Sequence, residues 1–122
     1  MTLQELYQAI QGDYDQATRV LRMDKLIDKH IRKFESSGTV SALIAAGETM
    51  DGTALFETAH AVKGVCGNLG LVKLAEAASV ITEEFRPGAA RKLSDDEVKA
   101  KLAEVKDLYE LTVEGIRRYA EG

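Results

Sequence analysis

The chain has 122 residues, 45% of them hydrophobic and 30% charged, a balance that excludes intrinsic disorder and suffices for one domain with its own core. Its net charge of −4 disfavours nucleic acid and anionic membranes as partners, because both need a basic footprint. No apolar run nears the roughly 20 residues of a membrane span and the N-terminus lacks a signal-peptide pattern; the one cysteine excludes an internal disulfide, and the cytoplasm is the expected compartment.

One proline, Pro87, and no alternation of β-branched residues predict an all-α fold. Thr2 with Glu5 fits a capping box that opens a short helix to about Gln11, ended by Gly12. Asp13 or Asp15 starts a further short turn carrying Val20 and Leu21. Asp24 is the expected cap of a longer segment in which Leu26, Ile27, Ile31 and Phe34 keep helical spacing, up to Ser36-Ser37-Gly38. Leu43 and Ile44 mark a short helix from about Thr39 to Ala46, closed by Gly47. Asp51 is the expected N-cap of a central helix over residues 52–69, with Gly70 as its stop.

Leu74, Ala78, Ile81 and Phe85 then continue a helical repeat that Pro87-Gly88 breaks, and residues 89–93 form a small polar loop. Ser94 and Glu97 make a second capping box, which opens the longest helix. Its stripe is Val98, Leu102, Val105, Leu108, Thr112, Ile116 and Tyr119. Connections this short suit antiparallel neighbours. The expected architecture is an up-down four-helix bundle with short additional N-terminal helices covering one end, as a single domain over residues 1–122.

The central helix carries the most informative pattern. At 100° per residue, Leu55, Ala59, Val62, Cys66 and Leu69 fall within roughly 40° of one line, which marks the buried side. Cys66 on that stripe reads as a small buried residue and not a reactive thiol. His60, Lys63, Gly64 and Gly67 form a second stripe about 130° away, facing solvent. Glycine within a helix costs about 0.5–1 kcal/mol relative to alanine. Two of them on an exposed face point to a surface kept flat beside an accessible imidazole, for a partner whose reactive group must reach His60. Close helix packing would instead put these glycines on the apolar stripe.

A neutral imidazole with an ordinary pKa near 6.5 is a competent nucleophile at neutral pH. If it accepts a phosphoryl group, an ammonium one turn away offsets the added negative charge. His30 is an internal control. It too has a lysine three residues on, Lys33, but Phe34 follows and no glycine shares that face; with Asp28, Lys29 and Arg32 nearby it reads as solvated surface. Two histidines and one cysteine at distant positions make no metal site of known spacing. There is no phosphate-cradling Gly-x-x-x-x-Gly-Lys-Ser/Thr loop and no nucleophile elbow, so a nucleotide site and autonomous kinase activity are not expected. The acidic residues read as solvated, scattered over exposed helix faces among lysines and arginines.

Ala59-His60-x-x-Lys63-Gly64, then Cys66-Gly67 and Leu69-Gly70, closely resembles the signature of histidine phosphotransfer domains of two-component phosphorelays. The likeness extends to Leu55-Phe56 and Leu74-Ala75, and is strong over residues 51–84. It implies a four-helix bundle with His60 as the phosphorylated residue, Lys63 stabilising the phosphoryl group, and Gly64 leaving room for an aspartyl phosphate. Gly64, Gly67, Phe56 and Asn68 are the expected docking positions for a partner. The partners implied are response-regulator receiver domains, with a hybrid histidine kinase as a further candidate. No cofactor is implied for this chain, since the assisting magnesium belongs to the receiver. Glu57 and Ala61 depart from the residue types common in relatives; Glu57 either orients the imidazole by a hydrogen bond or is solvated, with solvation favoured.

The expectation is a monomeric phosphoryl carrier, not an enzyme. Two alternatives accompany it: a phosphoacceptor domain excised from a larger chemotaxis-type kinase, and a non-phosphorylated adaptor that docks a receiver. Retention of both His60 and Lys63 argues against the adaptor.

Overall fold

Four short polar side chains start helices by accepting the backbone N–H groups that a helix leaves free at its N-terminus. Thr2 and Ser94 do so within full capping boxes, with Glu5 and Glu97 reaching back to the cap nitrogens. Asp13 accepts from Gln16 and Asp51 from Thr53. In the computed structural model, which describes residues 1–122, the helices are α1 (Leu3–Ala9), α2 (Tyr14–Leu21), α3 (Asp24–Arg32), α4 (Thr39–Thr49), α5 (Gly52–Asn68), α6 (Val72–Glu84) and α7 (Asp95–Glu121). A 3₁₀ turn at Glu35–Ser37 links α3 to α4, and no strand forms.

Helices α4, α5, α6 and α7 make the bundle: α5 packs against α4 and α6, and α7 closes the ring against the same two. The α5 stripe fills its centre, with Leu55, Ala59, Val62 and Cys66 fully buried and Leu69 nearly so. Burial pushes the Cys66 thiol up to about 12, which keeps it an inert core side chain. At 1.5 Å per residue, the 27 residues of α7 outrun the 17 of α5 by about 15 Å. The three short helices cover that end, α1 and α3 packing on α7 and α2 on α5. Gly115 lets α1 close in: a Cβ there would stand 2.4 Å from Ile10 Cγ2.

The N-terminal segment also splints the end of α5, where helical carbonyls lack partners of their own. The buried Tyr7 hydroxyl donates to the Leu69 carbonyl at 2.6 Å, Gln16 Nε2 to that of Gly67 at 2.8 Å, and the Asp13 N–H to that of Gly70 at 2.7 Å. Gly70, at φ +70°, makes the turn; a Cβ there would lie 2.2 Å from the Asp13 carbonyl oxygen, so only glycine fits.

Several local expectations are corrected. Asp24 is the first residue of α3, and its cap is Met23, which makes no side-chain bond to the helix. Gly47 does not close α4; the helix runs through it to Thr49 and turns at Met50, with Gly47 held close to Leu102. The first helix stops at Ala9, two residues before the expected end, and the left-handed residue after it is Gln11, not Gly12. Leu26 lies on the exposed side of α3. Glu84 is not solvated: it is buried, accepts the backbone N–H groups of Lys92 and Leu93, and pairs with Arg91. These bonds, that of Arg91 foremost, hold its carboxyl below the usual range and pin the loop between α6 and α7.

Candidate functional site

Of the stripe expected to face solvent on α5, His60 and Gly64 are exposed, whereas Lys63 and Gly67 are half-buried. His60 is exposed in the middle of the helix, with eight helical residues on either side. Its backbone is therefore held by complete helical bonding, away from fraying ends. Lys63, one turn on, is half-buried and enters no ion pair, so its ammonium is not already neutralised at contact range. A Cβ placed on Gly64 would meet nothing within 4 Å, and the same holds for Gly67. Neither glycine is there to let two helices of the bundle approach. Each leaves a level patch on the outside.

The two glycines differ in one respect. Gly64 is exposed, whereas Gly67 is half-buried and its carbonyl is engaged by Gln16 of α2. Asn68 is exposed and lies at the edge of a groove of about 330 Å³, lined also by Leu21, His30, Phe34, Val65 and Leu69. The positions singled out for docking thus run as a strip along α5, from Phe56 through Gly64 and Gly67 to Asn68. Glu57 is exposed and enters no ion pair, in keeping with solvation.

Two side chains at the site, Arg86 and Glu83, are not evident from the α5 motif, and Phe56, expected only as a docking position, has a further contact. Phe56, half-buried one turn before His60, stacks on the imidazole with ring centroids 5.8 Å apart and planes 16° from parallel. Arg86, just past the end of α6, places its guanidinium carbon 5.6 Å from the centre of the Phe56 ring. Glu83 holds Arg86 with two hydrogen bonds, 2.7 and 3.0 Å long. Its carboxyl lies below the usual range chiefly through Arg86, with Lys63 and His60 adding smaller attractions. The i, i+4 spacing of Phe56 and His60 was the available signal for the stack; the partnership with α6 depends on the bundle and has no sequence signal.

No group of three or more His, Cys, Asp or Glu side chains converges as a cation site. No helix is long and apolar enough to cross a membrane. What the α5 face offers chemically is an accessible imidazole nucleophile, an uncommitted ammonium one turn away, and clearance on that side for a bulky electrophile. The family model described as Hpt domain matches residues 1–115 of the chain. Comparison with curated proteins and with solved structures returned no match.

Proposed function

Because the chain belongs to the Hpt domain family, whose members carry phosphoryl groups on histidine in phosphorelays, we propose that His60 accepts a phosphoryl group from the aspartyl phosphate of a response-regulator receiver domain and passes it on. One observation carries this reading: His60 stands exposed at mid-helix, with open space at Gly64 one turn further on. The ring nitrogen bearing the lone pair attacks phosphorus, and an N–P bond forms as the P–O bond to the aspartyl carboxylate breaks. The carboxylate leaves with the electron pair, and the imidazole proton stays on the other ring nitrogen. Return transfer reverses the step.

On this reading the Lys63 ammonium, one helical turn from His60, offsets the negative charge of the incoming phosphoryl oxygens. Two unit charges 4 Å apart interact by about 1 kcal/mol in water and about 4 kcal/mol at an effective dielectric of 20. Its help therefore grows as a docked receiver excludes water. Magnesium enters only with the receiver, whose acidic pocket is its site on this reading, and the chain itself acts as carrier and not as kinase.

The test is direct. The purified protein is incubated with receiver domains phosphorylated by acetyl phosphate, and an acid-labile, base-stable phosphate is sought on it. Its appearance on His60 is the expected result. A protein that binds the phosphorylated receiver yet never acquires label would instead be the adaptor.

A further inference from the structure

An exposed histidine on a helix is not aimed. Its χ1 has two wells that a helix tolerates and its ring has two broad orientations, so about four arrangements compete and only some point a given nitrogen outward. His60 does not stand alone, however. The Phe56 ring lies nearly parallel to it at 5.8 Å, and the Arg86 guanidinium lies over Phe56 at 5.6 Å. Arg86 is itself tied at two points to Glu83, so the chain of contacts runs from the imidazole across the seam between α5 and α6. His30 has no such arrangement: the residue four before it is Leu26, an exposed aliphatic side chain.

We propose that Phe56 is a positioning residue for phosphotransfer, holding the His60 imidazole in one orientation by stacking, and that the Arg86–Glu83 pair holds Phe56. The proposal rests on the reading of His60 as the phosphoacceptor, and it gives Phe56 a role distinct from that of a docking contact. Offset stacking restrains the imidazole without covering its edge, where both nitrogens lie. A guanidinium over an aromatic face adds attraction and costs little mobility when the cation is already fixed by a carboxylate. Phe56 touches the nucleophile and not the phosphoryl group, so its effect belongs in the rate at saturation and not in receiver affinity.

The experiment compares Phe56→Leu, Phe56→Tyr and Arg86→Gln with the unaltered protein, each checked for an unchanged melting temperature. Transfer from an acetyl-phosphate-loaded receiver domain is measured over a range of receiver concentration. Three-bond couplings of the His60 side chain are measured by NMR on the free protein. Phe56→Leu is expected to lower the saturating rate about four-fold, by the number of competing arrangements, with half-saturation unchanged. Phe56→Tyr should restore the rate, and Arg86→Gln should lower it by a smaller factor in the same sense. The couplings should report one χ1 well in the unaltered protein and averaging in Phe56→Leu. An unchanged saturating rate with raised half-saturation would make Phe56 a docking contact and overturn the proposal. So would averaged couplings in the unaltered protein. Should Phe56→Leu fail to fold, Arg86→Gln carries the same kinetic and NMR arms from the exposed side. If no receiver labels the protein at all, the phosphoacceptor reading fails, while the NMR arm still decides whether the stack holds His60 in one χ1 well.

Discussion

Helices α3 and α5 each carry a histidine with a lysine three residues on, and both histidines are exposed. The surroundings separate them. His30 lies two residues from the end of a nine-residue helix, and Lys33 already belongs to its C-cap. The position after that lysine is Phe34, which turns inward and is buried against the core, edge-on to Tyr109. His60 sits at the centre of a 17-residue helix, and the position after its lysine is a glycine facing open space. A His-x-x-Lys pair is thus common helix chemistry. What distinguishes α5 is that the next position contributes neither a core side chain nor an obstacle.

The largest expected effect tests that contrast at its root. His60→Gln should abolish phosphoryl acceptance while His30→Gln leaves it intact, as read by radiolabel and by mass spectrometry of the base-stable adduct. Both substitutions are on the surface, so each should shift stability by no more than about 0.5 kcal/mol. Label that persists on the first variant and vanishes from the second would reverse the assignment of the two histidines.

The glycines sharpen the comparison further, because the molecule uses them in two ways. Gly115 lies where α1 meets α7, and a Cβ there would collide with Ile10; Gly64 faces nothing. Gly115→Leu should therefore overpack the α1–α7 contact and destabilise the fold by about 1–3 kcal/mol. Gly64→Leu should leave the isolated protein folded and raise its stability by several tenths of a kcal/mol, since leucine is the better helix former. Receiver-dependent transfer should nonetheless fall sharply in Gly64→Leu. Thermal melting beside a transfer assay reads both quantities. A large fall in melting temperature for Gly64→Leu would mean that its flatness serves the bundle and not a partner.

Much of this is written locally. The capping boxes at Thr2 and Ser94, the buried stripe of α5 and the outward stripe of His60, Lys63 and Gly64 each depend on residues within one or two turns of one another, so spacing alone locates them. The features that spacing misses are tertiary. Glu84 reads as one more helical carboxylate until the loop after Pro87 folds back and offers it two N–H groups and Arg91. Gly47 reads as a stop because glycine often ends helices, yet α4 continues through it with Leu102 of α7 close against its α-carbon. Arg86 and Glu83 belong to the site only because α6 packs beside α5. Met23 caps α3 with no side-chain bond at all, which no polar signal announces.

Within this comparison of the two helices the smallest effect expected is that of the lysines, and it asks whether Lys63 differs from Lys33 in kind. Lys63→Ala should slow transfer without preventing it, by about 1–2 kcal/mol in transition-state terms, or roughly ten-fold in rate. Lys33→Ala should leave the rate unchanged. The loss at Lys63 should shrink only modestly with added salt if a docked receiver shields the ammonium from water, and steeply if the charge stays solvated, because screening over about 10 Å at 0.1 M acts on exposed charges and spares buried ones. Lys63 is half-buried before any partner arrives and carries no ion pair to break, which favours the first outcome. An unchanged rate for Lys63→Ala at low salt would place it with Lys33, as an ordinary helix charge that happens to follow the right histidine.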